Sequence, residues 1–265
     1  MGKGFRVGID LKGRSINYCL AARFQRAGLS LRLEAILNDS VSVLLAMQYL
    51  DPTATQLSIV AGTGFNGAVQ LLTSALALGK FGQRSPAWVE RAQQVLVDTE
   101  LCVTGQGIFP LTRWDQAILD TMPPNIVGLL GLESLIGGLF LGEVFRSVVV
   151  DAVREAGFLD GQLPTGLVEP YSLPLETVTV LLEEDVVFAD MHTEQLSTAL
   201  GLPALISDGD LQLLRDLARA VMTRTAAFLA AAVCAVKCLH DTTFEEDERL
   251  TSQHSHYALC RVSAP

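Results

Sequence analysis

The sequence predicts an α/β or α+β domain in which helices pack on a sheet. Two observations lead there. Strand-like and helix-like segments alternate, with helices in the majority. Hydrophobic residues make up 49% of the 265 positions against 18% charged, enough to bury a large core.

Residues 13–27 read as a helix, because Ile16, Leu20 and Phe24 recur on one face and Gly28 can end it. Residues 29–37 alternate weakly through Leu31, Leu33, Ala35 and Leu37, which predicts a strand closing at Asn38-Asp39-Ser40. Residues 41–50 read as a helix with Asp39 or Ser40 as N-cap and Asp51-Pro52 as its stop. A strand over 56–61, the turn Gly62-Thr63-Gly64 and a return strand over 68–72 predict a hairpin. A short strand over 95–99 follows in a less regular stretch. An apolar helix is expected over about 128–156. Gly137-Gly138 inside it is costly and implies close packing of another element there. Short helices over 177–184 and 194–200 precede a long Ala-rich helix over about 210–239. The polar segment after His240 is expected to be poorly ordered.

Composition narrows the function. Nineteen Lys and Arg against 29 Asp and Glu leave a net charge of -10. Duplex binding needs clustered cations that displace counterions, so no nucleic-acid partner is expected. Spanning a membrane takes about 20 nearly charge-free residues. The apolar stretch 126–145 carries Glu133 and Glu143, and 225–236 is cut short by Lys237, so no span is expected. No apolar leader is visible after Met1. Five scattered cysteines without a CxxC pair predict reduced thiols and a cytoplasmic protein. Cys234 and Cys238, one helical turn apart, read as core packing. His254, His256 and Cys260 lie in a polar tail without metal-ligand spacing, so no metal site is assigned.

Four pieces of sequence can carry chemistry. Asp39, at the expected strand end, suits a general base within reach of a hydroxyl; it equally suits a helix cap. Ala61-Gly62-Thr63-Gly64-Phe65-Asn66-Gly67 offers backbone N–H groups and a hydroxyl to a phosphate, or simply turns a hairpin. It is neither a GxxxxGK[ST] loop nor a GxGxxG fingerprint. Glu133, among Leu132, Leu135 and Ile136, needs donors if buried; vicinal sugar hydroxyls supply them, whereas an exposed position would need none. Asp98-Thr99-Glu100 adds two carboxylates, and Glu143 is expected to pair with Arg146 or solvent.

Together these pieces resemble the hexokinase family. Leu37-Asn38-Asp39-Ser40-Val41 is similar to its Asn-Asp-Thr-Val motif. Ile59-Val60-Ala61-Gly62-Thr63-Gly64-Phe65-Asn66 resembles the following strand and Gly-Thr-Gly-x-Asn turn, and Asp98-Thr99-Glu100 resembles Asn-Thr-Glu. The segment from Glu133 to Arg146 resembles Glu-Lys-x-Ile-x-Gly-x-Tyr-Leu-Gly-Glu-x-x-Arg. Lys3-Gly4-Phe5, Pro170-Tyr171-Ser172-Leu173 and Thr223-Arg224-Thr225-Ala226-Ala227 also have counterparts, so the likeness runs in order over residues 3–240. Val7-Gly8-Ile9-Asp10-Leu11-Lys12-Gly13 superficially resembles a sugar-kinase phosphate loop, but Lys12 and Arg14 replace its Gly and Thr, and it reads as the approach to the first helix.

The resemblance implies an actin-like ATPase (RNase H-like) fold, a truncated large lobe rich in helices. It implies a remnant of the small lobe over 1–38, a large-lobe domain over 39–240 and a divergent, disordered tail over 241–265. It implies ATP-dependent phosphorylation of a glucose-like hexose at its 6-hydroxyl, as in cytoplasmic glycolysis, with Mg²⁺ carried by the nucleotide. By the same likeness Asp39 is the base, and Lys3, Asn38, Asn66, Glu100 and Glu133 bind the sugar. Gly62, Thr63 and Gly64 contact the phosphate. The family's first phosphate loop would precede Lys3, and its second Gly-rich loop would follow the long helix, where 241–265 does not match it. Departures at Asp98 and Ser134, for Asn and Lys, read as residues behind the sugar ligands. A non-catalytic sugar-binding or regulatory protein is the alternative, and a protein partner covering the exposed lobe interface is an accompanying expectation.

Overall fold

The computed structural model describes residues 15–33, 36–51, 55–81, 84–123, 130–183, 189–202 and 206–254. In chain order these form α1 (Ile16–Arg26), α2 (Asp39–Leu50), β1 (Leu57–Ala61), β2 (Phe65–Leu72), α3 (Pro86–Arg91) and β3 (Gln94–Asp98). Then come α4 (Arg113–Asp120), the single helical turn α5 (Glu133–Ile136), α6 (Gly138–Ala156), α7 (Leu175–Leu182), α8 (Ala189–Leu200) and α9 (Asp208–His254). Lys3 and the 7–13 stretch lie outside the described residues.

The three strands form an antiparallel sheet in the order β1-β2-β3, with Ala61 opposite Phe65 and Ala68 opposite Asp98. The two-residue period of a strand assigns its side chains to two faces. Ala68 and Leu96 meet Val41 and Leu44 of α2 on one face. Val69, Leu71 and Val97 meet Val236 of α9 on the other. The central strand is therefore buried on both sides, with only Asn66 and Gln70 part-exposed along it. A second core is mainly helical: Val144, Phe145, Val149 and Val153 of α6 pack with Val178 of α7, Leu200 of α8 and Leu214 and Ala218 of α9.

Four expectations change. No strand forms over the described part of 29–37, where Leu29, Leu31, Ile36 and Leu37 are exposed and the sheet pairs only β1, β2 and β3. Alternation makes an edge only where another strand supplies the ladder. The helix expected over 128–156 is broken at Gly137, whose extended backbone (ψ 131°) separates α5 from α6. The reason is the one its glycines implied: a Cβ on Gly137 would meet the Thr63 carbonyl oxygen at 3.1 Å, and one on Gly138 the Gly62 carbonyl oxygen at 2.9 Å. Cys234 and Cys238 are exposed, because α9 turns Val221, Thr225, Ala232, Val236 and His240 inward instead. Finally α9 continues through 241–254, where the sequence reading places a poorly ordered tail. Lys237 Nζ bonds Asp241 one turn on, and Thr243 Oγ1 donates to the Leu239 carbonyl, so the acidic segment carries its own helical contacts. Within α9, Asp208–Glu245 is long and apolar enough by composition to cross a membrane, although the charge at Lys237 argues against a span; here it packs on the sheet and on α5, α6 and α7.

Candidate functional site

The site lies where the N-terminus of α2 meets the hairpin and the end of β3. Asn66 and Asp98 both fall on the α2 face of the sheet by strand period, beneath the first turn of α2. Asn38 is the N-cap: its Oδ1 accepts from Ser40 N–H at 2.8 Å and from Ser40 Oγ at 2.7 Å. The sequence reading offered Asp39 or Ser40 as cap. Asn38 takes that role, because its extended backbone (ψ 156°) aims the side chain at the open N–H groups. Asp39 becomes the first helical residue, with Oδ1 sharing the Ser40 N–H at 2.8 Å. It is exposed, at a helix start and not at a strand end as expected, so its carboxylate is accessible and held by the positive end of α2.

Asp98 organises the cluster. Its Oδ1 accepts from Asn66 Nδ2 at 2.8 Å and, at longer range, from Glu100 N–H at 3.5 Å; Ser40 Oγ, whose proton goes to Asn38, lies 3.4 Å away. With that amide turned toward Asp98, Asn66 Oδ1 accepts from Gly67 N–H at 2.8 Å and Leu101 N–H at 3.1 Å. Ser58 Oγ donates to the Ser40 carbonyl at 2.7 Å, tying β1 to the same turn. Glu100 follows in the left-handed region (φ 46°), a conformation that costs of order 1–3 kcal/mol for a residue other than glycine. Strain of that size persists where the surroundings hold it, and here the 3₁₀ turn Leu101–Val103 begins directly after it.

Glu133 reaches the site from the other side. It is 6% exposed, and its Oε1 lies 2.8 Å from where a Cβ of Gly64 would stand. The Gly62-Thr63-Gly64 turn is bound to α6: Gly138 N–H donates to the Gly62 carbonyl at 2.8 Å and Leu139 N–H to the Thr63 carbonyl at 3.1 Å. Those carbonyls satisfy the first N–H groups of α6, and the turn leaves Gly62 and Thr63 exposed with open space beside Gly62. A phosphate could approach that open side.

The structure thus joins Asn66 and Glu100 through Asp98, seats Asp39 and Ser40 beside Asn38, and sets Glu133 against the Gly62-Thr63-Gly64 turn. Lys3 lies outside the described residues. Sequence reasoning places Asp98 behind the sugar ligands, where it accepts from the Asn66 amide; the residues around it give no sign of which group it holds. Among the described residues no group of His, Cys, Asp and Glu is arranged to hold a metal ion.

A family model described as hexokinase matches residues 56–257. The chain belongs to the hexokinase family. It is 25% identical over 238 residues to hexokinase-1 of Schizosaccharomyces pombe, covering 88% of this chain and 47% of that one. It is 27% identical over 262 residues to the hexokinase of Emericella nidulans, covering 96% and 51%. The chain therefore spans about half the length of the curated relatives it matches. Among solved structures it is similar to a hexokinase from Schistosoma mansoni complexed with glucose, with TM-score 0.67 and 22% identity over 87% of this chain and 50% of that one. A second hexokinase structure gives TM-score 0.66 and 27% identity. The fold is accordingly the actin-like ATPase fold, represented here by a small antiparallel sheet and many helices.

Proposed function

We propose that this chain carries the sugar-side machinery of a hexokinase-type phosphotransferase, transferring the γ-phosphoryl group of ATP to the 6-hydroxyl of a glucose-like hexose. The observation that supports it is the carboxylate and amide cluster around Asp98, which presents Asn38, Asn66, Glu100 and an accessible Asp39 at one end of α2. Sugar hydroxyls are both donors and acceptors, and a site for them needs several fixed carboxylates and amides. Asn38 and Asn66 are held by hydrogen bonds before any ligand arrives. Lys3, Asn38, Asn66, Glu100 and Glu133 bind the hexose in this reading.

Asp39 acts as the base. As the sugar oxygen attacks the γ-phosphorus, the hydroxyl proton passes to the Asp39 carboxylate, the bond from phosphorus to the bridging oxygen breaks, and ADP leaves. A positioned base of this kind contributes about 10²–10⁴-fold. The open space beside Gly62 and the exposed Thr63 is where a phosphate would approach in this reading, and nucleotide-borne Mg²⁺ would neutralise charge on the phosphates. The chain's own part is to orient the hydroxyl and take its proton.

The second reading is a hexokinase-like sugar binder without turnover. It draws on the same cluster, since the sugar side is tied by many side-chain bonds whereas the phosphate side rests on one turn.

Glucose-dependent ADP release by the purified chain tests both, with Asp39→Ala as control. Release in the wild type that falls at least about a hundredfold in Asp39→Ala, with a smaller change in glucose affinity, is the expected result. Equal release by the two chains overturns the assignment of the base. Glucose binding without release by a folded wild type selects the second reading.

A further inference from the structure

We infer that Arg224 is a positioning residue for Glu133, anchoring the helical turn that carries it; the inference rests on Glu133 being a sugar ligand. Arg224 Nη2 donates to Asp115 Oδ2 at 2.6 Å. The Asp115 carboxylate is enclosed: its side chain is 1% exposed, against 21% for Arg224. The same Oδ2 accepts from Thr112 N–H at 2.7 Å and Thr112 Oγ1 at 2.6 Å, while Oδ1 is buried without a hydrogen-bond donor. A carboxylate so placed depends on its one cation.

The guanidinium also lies 4.9 Å over the ring of Phe228, one turn along α9, and Phe228 meets Phe109 edge-on at 5.1 Å. Those rings belong to one apolar cluster with Leu132, Leu135 and Ile136, the neighbours of Glu133, and with Phe65 and Leu101, the neighbours of Gly64 and Glu100. Thr225, beside Arg224, donates from Oγ1 to the Leu135 carbonyl at 3.3 Å. The Leu132 N–H donates to the Thr104 carbonyl at 2.8 Å, on the loop that leads into Thr112. One side chain thus joins α9, the start of α4 and the packing that fixes α5, without touching the sugar site.

The test uses the purified chain with Arg224→Gln and Arg224→Lys, followed by amide exchange and by titration with glucose and with MgADP. In Arg224→Gln, exchange at Leu132, Ile136 and Gly137 quickens about tenfold and glucose affinity falls about tenfold, while MgADP affinity changes less than about twofold. Arg224→Lys keeps the cation but loses the planar stack, and recovers part of both effects. If Arg224→Gln does not fold, Phe228→Leu loosens the same amides through loss of the stacked ring. Unchanged exchange at those amides overturns the inference. So does quickening that is uniform along α6 and α9, because that reports a general loss of stability. A wild-type chain that binds no glucose overturns the sugar reading of Glu133 alone, and exchange then decides the anchor by itself.

Discussion

A methyl group on Gly64 would stand 2.8 Å from Glu133 Oε1. The hairpin turn and the buried carboxylate therefore meet closely, and the second glycine of the turn leaves the room that this side-chain position occupies. Gly64→Ala must displace the carboxylate of a residue that is only 6% exposed. Glucose affinity is expected to fall about tenfold, equivalent to about 1.4 kcal/mol. Gly62→Ala is the control, since nothing stands within 4 Å of its Cβ position. Calorimetric titration of both variants checks the pair, and equal affinities would contradict the assignment.

Asp98 is the next target. Asp98→Ala leaves the Asn66 amide without the acceptor it holds at 2.8 Å, in a half-buried setting. An unmet buried donor costs about 1–3 kcal/mol, so unfolding in urea should show a loss in that range. Asp98→Asn keeps a carbonyl oxygen for Asn66 and should lose less. A comparable loss in both variants would show that charge, and not the acceptor, is what the cluster needs.

Glu143 and Arg146 form a buried pair on α6, as the sequence spacing suggested, with side chains 6% and 11% exposed and a contact of 2.6 Å. Glu143 Oε2 also accepts from Arg146 Nε at 2.7 Å and from the N–H of Tyr171, a residue in the left-handed region. Hydrogen bonding to Glu143 raises the Arg146 pKa above its ordinary value, outweighing burial. Glu143→Ala strands a buried cation and frees the loop before α7, and is expected to destabilise by about 3–5 kcal/mol. Equilibrium denaturation measures it; a loss below about 1 kcal/mol would mean that water reaches Arg146 readily.

The end of α9 should respond to acid. Hydrogen bonds from Lys237 and then His240 hold the Asp241 carboxyl below its ordinary value of 3.8. A lowered folded pKa stabilises above the ordinary value, and that contribution is lost as pH falls through the folded one. Circular dichroism should show helix content steady at neutral pH and declining below 3.8, with Asp241→Asn removing that step. The pair is exposed, so the change is small and fades in high salt.

Much of the fold was legible in the residues. The helix of α2, the β1–β2 hairpin and the long helix follow from local periodicity and turn chemistry, which act within a few residues. The break at Gly137 was legible as a demand for close packing, but which element packs there was not. The partner is the Gly62-Thr63-Gly64 turn, about seventy positions earlier, and no local pattern names it. The strand expected over 29–37 failed for the converse reason: alternation describes a face, and only a neighbouring strand turns it into a ladder.

The amino-acid sequence by itself determined the family, the helix and hairpin segments, and which residues could serve a sugar or a phosphate, because each depends on side-chain type and short-range spacing. The tertiary structure alone decided that Asp98 is the acceptor for the Asn66 amide and that Glu133 faces Gly64. Hydrogen bonds and steric contacts act over about 3 Å. Residues distant along the chain come within that range only when the sheet and α9 have packed.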